Sequence, residues 1–105
     1  MNQGQCLCGT VRYEVDGPFL SMMNCHCSMC RKRHGAAFST FVRAPLAGFR
    51  WVSGEDSIAQ YLTLSGGSPG FCRVCSSITP ILMNDIDSVL CPAGNLDGEL
   101  GIKPQ

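Results

Sequence analysis

The sequence carries little charge and no excess of either sign: 15% of its 105 residues are charged, and eight Lys plus Arg balance eight Asp plus Glu. A chain without a net positive field does not gather phosphates from a distance, so nucleic acid is not expected as a partner. Aromatic residues are sparse at 8%, with a single tryptophan. Long apolar runs are also missing, since no stretch approaches the roughly 20 residues that span a bilayer. The opening Met-Asn-Gln-Gly-Gln-Cys has neither the basic nor the apolar region of a secretory leader. No membrane association is expected, and the cytoplasm is the default compartment. With 45% hydrophobic residues the chain can build one small core and is too apolar for general disorder. Residues 1–105 are therefore expected to form a single domain.

Helical periodicity is nearly absent, and strand patterns take its place. Val11, Tyr13 and Val15 alternate with Arg12, Glu14 and Asp16, which puts an apolar set on one face of a strand and charge on the other. Asp16-Gly17-Pro18 ends it in a turn. Phe38–Val42, Phe49–Val52 and Ile58–Leu64 read as further strands. Ile78–Met83 and Asp87–Cys91 read as a hairpin joined through Asn84-Asp85-Ile86, with Pro80 weakening the first arm. Pro92–Gly98 is turn chemistry, and the last residues are polar and expected to fray. One short helix is expected from Ser28 to His34, with Ser28 capping the first backbone donors. The class is mostly β with one short helix.

What the sequence has in abundance is cysteine, eight in all. In a reducing compartment, clustered thiols point to metal rather than to disulfides. Cys6-x-Cys8 and Cys72-x-x-Cys75 are two short pairs far apart in sequence, the arrangement that lets four thiolates surround one zinc and cross-link the chain. Four-thiolate sites also accept iron. A second cluster, Cys25-His26-Cys27-Ser28-Met29-Cys30, offers three thiols. Three protein ligands leave a fourth tetrahedral position for substrate, water or another thiol, the mark of a catalytic zinc site.

Arg31, Lys32, Arg33 and His34 follow at once. This positive charge favours thiolate over thiol and can hold the carboxylates of an anionic small molecule, or it can be a solvated surface run. His26, between two ligands, suits a contact to substrate rather than to the same metal. His34, one helical turn beyond Cys30, is an alternative fourth ligand that would make the site structural. Cys27 and Cys30 also have redox-pair spacing, but Cys25 completes a ligand set and no βαβ alternation surrounds the motif. Cys91 stands alone in an apolar run as a core thiol, and Trp51 suits core or a pocket wall.

Taken together, Cys-x-Cys-Gly-x-Val-x-Tyr-Glu-Val at 6–15, Cys-His-Cys-Ser-x-Cys-Arg-Lys-x-His-Gly-Ala-Ala-Phe at 25–38, Gly54-Glu55 with Tyr61, Cys-x-x-Cys at 72–75 and Pro-Ala-Gly-x-Leu-Asp at 92–97 resemble the glutathione-dependent formaldehyde-activating enzyme family, which includes centromere protein V-like proteins. The resemblance covers residues 4–97. It implies the Mss4-like fold of small twisted antiparallel sheets stapled by zinc, with Cys6, Cys8, Cys72 and Cys75 as the structural ligands. It further implies that Cys25, Cys27 and Cys30 hold a second zinc, with the catalytic Cys27 nearest the sulfur of glutathione. Glutathione then becomes the expected anionic partner, with His26, Cys27, Arg31, Lys32 and His34 as its contacts and formaldehyde as the aldehyde. The implied reaction is condensation to S-(hydroxymethyl)glutathione, the work of a carbon–sulfur lyase; the alternative is a thiol carrier or a zinc-stabilised interaction module.

Three departures from the family pattern stand out. Ser76 replaces the glycine that usually follows the second pair, at a cost of roughly 1 kcal/mol if the left-handed turn is kept. The segment Ser65–Phe71 is short and lacks a basic residue. The sequence also stops soon after Asp97, where typical members continue with a segment carrying a tryptophan, so one pocket wall is expected to be missing or to be supplied by a second copy in a homo-oligomer.

Overall fold

The computed structural model describes residues 1–61, 69–98 and 100–102. Residues 62–64 of the third expected strand run, 65–68 of the short segment and 103–105 of the tail lie outside the described residues. The strands are β1 (Asn2–Gln5), β2 (Arg12–Val15), β3 (Ser21–Cys25), β4 (Ser39–Pro45), β5 (Phe49–Ser53), β6 (Ile58–Gln60), β7 (Gly70–Cys72), β8 (Ile81–Met83) and β9 (Ser88–Pro92). A single α-helix among the described residues, α1 (Ser28–His34), follows β3. No helix among them is long and apolar enough to cross a membrane.

Three antiparallel sheets result, in the orders β1-β2-β5, β3-β4-β9-β8 and β6-β7. The alternation in β2 does what a period of two requires: Tyr13 and Val15 are buried while Arg12 is exposed. On the outer face Arg50, paired in register with Glu14, reaches its carboxylate at 2.7 Å. Inside, Tyr13 and Val15 of the first sheet meet Val42, Ala44, Val89 and Cys91 of the second, and Leu96 closes the cluster. Cys91 is wholly buried, and burial pushes its thiol up to about 12, as expected of a core thiol. Trp51 packs on this core and on a second one made of Cys6, Val11 and Cys72.

The sequence pattern anticipated most of these strands and missed three. Strands β1 and β7 are short and polar or glycine-bearing, and β3 (Ser-Met-Met-Asn-Cys) is half-buried on both faces, so none shows alternation. Pro80 does shorten the arm before the hairpin, where pairing begins at Ile81 and runs to Met83 opposite Ser88.

Candidate metal and thiol site

The first cluster is built at two knuckles. Cys6 follows β1, and a tight turn brings the Gly9 amide to the Cys6 carbonyl at 3.1 Å while the Val11 amide donates to Cys6 Sγ at 3.3 Å. At the other knuckle Cys72 ends β7, and the Ser76 amide donates to the Cys72 carbonyl at 2.8 Å. This turn keeps a left-handed residue even without glycine: Ser76 has φ 70°. The sulfurs of Cys6, Cys8, Cys72 and Cys75 lie within 4.8 Å of one another, with Cys6–Cys8 at 3.6 Å and Cys8–Cys72 at 3.9 Å. Tetrahedral zinc–thiolate bonds place sulfurs about 3.8 Å apart, so the donor set and its spacing fit one such ion.

Polar groups prepare these thiols unequally. The Ser77 hydroxyl, 3.3 Å from Cys75 Sγ, holds that thiol down to about 5. Thr10, 3.1 Å from Cys8 Sγ, lowers Cys8 as well, whereas burial pushes Cys72 up. Neither Ser77 nor Thr10 stood out in the sequence, because nothing in a lone hydroxyl two residues from a cysteine announces its role.

The second cluster sits where β3 hands over to α1. Cys25 ends the strand, Cys27 precedes the helix and Cys30 lies in its first turn; their sulfurs lie within 4.8 Å, with Cys25–Cys27 at 3.5 Å. The helix cap differs from the expected Ser28. Ser28 is already helical, and the last extended residue is Cys27, whose Sγ accepts the Cys30 amide at 3.3 Å. That amide lowers the exposed Cys27 thiol, and burial pushes Cys30 up to about 11. No His, Asp or Glu joins the three thiols among the described residues. Beneath them Ser39, paired across the sheet with Cys25, is 3% exposed, and its hydroxyl favours the Cys30 thiolate without a hydrogen bond of ordinary geometry.

The basic run after Cys30 does not act as one collar. Arg31 and Lys32 are exposed. Arg33 instead reaches across to β7, its Nη2 donating to the Gly70 carbonyl at 2.8 Å. His34 lies outside the thiol group and packs edge-on against Phe41, with ring centroids 5.6 Å apart. Its Nε2 is buried without a partner among the described residues, and burial, then Arg33, lowers its pKa. His26 stays exposed with its ring 5.0 Å from that of Phe38.

An open groove of about 560 Å³ runs from the first cluster toward β4 and the end of α1. Cys6 and Ser77 line it at the first cluster, His34 at the end of α1, Ser39, the cross-strand partner of Cys25, on β4, and Asn95 and Asp97 after β9. Asn95 and Asp97 stand in the Pro-Ala-Gly-Asn-Leu-Asp motif, so a signal existed for them. For Ser39 there was none, since its place follows from strand register alone.

Small antiparallel sheets, one helix and two cysteine clusters able to hold metal ions define a protein of the Mss4-like class. The chain belongs to the glutathione-dependent formaldehyde-activating enzyme family, whose model matches residues 1–105. It is also similar in structure to a Rhodobacter sphaeroides protein known from a crystal structure, at 27% identity and a TM-score of 0.75 over 97% of each chain.

Proposed function

We propose that the chain is a zinc-dependent enzyme of carbon–sulfur lyase type that binds glutathione and condenses it with formaldehyde, or a related small aldehyde, to S-(hydroxymethyl)glutathione. The observation that carries this reading is the three-thiol cluster of Cys25, Cys27 and Cys30, which offers three donors with Cys27 exposed to an incoming ligand. Cys6, Cys8, Cys72 and Cys75 are then the closed structural zinc set. Soft thiolates in threes and fours suit zinc better than harder cations. At the second site zinc would stabilise the thiolate of an incoming thiol and so raise the share of nucleophile near neutral pH.

The rest falls to the chain's own residues. Cys27, exposed at the helix cap, is the ligand that the incoming sulfur meets. Arg31 and Lys32 on the exposed face of α1 attract the carboxylates of the peptide, Arg31 as a bidentate fork. His26 on Phe38 and His34 in the groove flank the bound thiol. The sulfur attacks the carbonyl carbon, the C–S bond forms as the C=O pair moves onto oxygen, and that oxygen takes up the proton released by the thiol. Holding thiolate and aldehyde together supplies most of what this addition needs. Its setting is a reducing compartment such as the cytoplasm, where free thiols persist.

Exchange-resolved NMR of formaldehyde with glutathione tests the proposal. Catalytic amounts of zinc-loaded protein are expected to accelerate adduct formation, and Cys27→Ser is expected to abolish the effect. A second reading, a thiol carrier, draws on the lack of any carboxylate donor beside the three thiols among the described residues. It predicts glutathione binding with no acceleration.

A further inference from the structure

Among the described residues, the groove that opens from the first cluster toward β4 has one acidic or basic side chain of the Asp, Glu, Lys and Arg types in its lining, Asp97, and its charge is negative. Asp97 is exposed to the groove, and its carboxylate forms no ion pair or hydrogen bond among the described residues. The ion pairs among the described residues lie elsewhere, between Arg50 and Glu14 and between Arg50 and Asp16. Arg12, which shares a small neighbouring cavity with Asp97, turns its Nε to the Gly9 carbonyl at 3.0 Å instead. The backbone fixes Asp97 firmly, because its amide donates to the Gln3 carbonyl at 2.8 Å and Leu96 before it is buried. The groove also holds the amides of Gln5 and Asn95, of which Asn95 already accepts from the Tyr13 hydroxyl and donates to the Ile78 carbonyl at 2.8 Å.

A groove of mixed polar and apolar lining, with a carboxylate free of ion pairs among the described residues and with Arg31 and Lys32 exposed on α1 outside it, sorts a ligand by the position of its charges. A carboxylate remote from the ammonium, as that of the glycine end of glutathione is, is drawn to Arg31 and Lys32 on α1. A positive group is drawn inward. A single carboxylate flanked by amide side chains is a poor metal site, which needs several hard oxygen donors, but it suits an ammonium with three hydrogens to give.

We propose that Asp97 is a specificity-determining residue that receives the ammonium group of the bound thiol, so that the site selects thiols with a free α-amino group over otherwise identical thiols without one. The inference rests on the proposed thiol-binding role of the groove. For glutathione it assigns an orientation, with the γ-glutamyl ammonium at Asp97 and the sulfur at the three-thiol cluster.

Calorimetric titration of the zinc-loaded protein with glutathione and with N-acetylglutathione tests this, since acetylation removes the positive charge and leaves the thiol. The native protein is expected to bind glutathione roughly tenfold more tightly, the lower range of a charge-assisted hydrogen bond at an exposed carboxylate. Asp97→Asn keeps the size of the side chain and is expected to erase that preference, whereas Asp97→Glu keeps the charge and part of the preference. Zinc content and circular dichroism confirm that each variant is folded. If acetylation costs the same affinity in the native protein and in Asp97→Asn, or costs nothing in either, the assignment of Asp97 is wrong while thiol binding stands. If the native protein binds neither thiol, the groove is not a thiol site and both proposals fall.

Discussion

Arg33 Nη2 donates a 2.8 Å hydrogen bond to the carbonyl of Gly70, and so joins the helix that carries Cys30 to the strand that ends at Cys72. This side-chain bond adds to the backbone bridge between Gly4 and Leu96 in holding the two cysteine clusters in one frame. Gly70 suits this junction because a Cβ there would press on Thr79 Oγ1 and Ile58 Cγ2, at 2.7 and 2.9 Å.

Arg33→Ala is therefore expected to lower stability by about 1–2 kcal/mol, the worth of a half-buried charge-assisted hydrogen bond. Arg31→Ala, at an exposed position, is expected to change stability by less than about 0.5 kcal/mol. Denaturant unfolding of the two zinc-loaded variants makes the comparison. Equal midpoints would show that the link to Gly70 carries nothing.

Ser76 holds φ 70° where its side chain is disfavoured. Ser76→Gly removes that strain but adds freedom to the unfolded chain, and the first effect, roughly 1–2 kcal/mol, exceeds the second, about 0.5–1 kcal/mol. A small net gain in unfolding free energy is the expected outcome, measured at constant zinc. A loss would mean that the serine side chain supports the knuckle.

Gly54 combines φ 76° with a backbone approach so close that an added Cβ would run into the Thr10 carbonyl. Because backbone cannot swing aside as a side chain can, Gly54→Ala is expected to destabilise by more than about 2 kcal/mol. Thermal unfolding measures it. A change within 0.5 kcal/mol, roughly the scatter of neutral surface changes, would show that the turn yields.

Much of this was legible in the sequence, for reasons that differ from residue to residue. Val11, Tyr13 and Val15 announced their burial because a half-buried strand imposes a period of two. Both cysteine sets were visible because each arrives as a short pair or triplet, and short spacing is itself a ligand signal. The cap was misplaced by one residue, since Ser28 is the better intrinsic cap while Cys27 is the residue still extended when β3 ends. Arg33 and His34 were unreadable as individuals. Only the packing of α1 on β4 and β7 sends one to Gly70 and the other to Phe41, and a run of four basic letters holds no trace of that choice.

Thiol reactivity follows the same geometry. The Cys30 amide lowers Cys27, so a larger share of this thiol than of an ordinary one is thiolate at a given pH. Cys91, buried and pushed up to about 12, stays protonated throughout. Iodoacetamide is expected to modify Cys27 rapidly when the three-thiol site is free, and Cys91 only on unfolding. Peptide mapping by mass spectrometry reads both. Equal rates in the folded protein would contradict the account of burial.

The central claim is that one cysteine set is closed and the other open to a thiol. Native mass spectrometry of the reduced protein, with and without glutathione, tests it most directly by counting zinc ions and bound ligand on each chain. Two zincs are expected, with one glutathione bound, and Cys27→Ser is expected to lose the ligand while keeping the zinc of Cys6, Cys8, Cys72 and Cys75. A single zinc, or two zincs with no glutathione bound, would contradict an open reactive site.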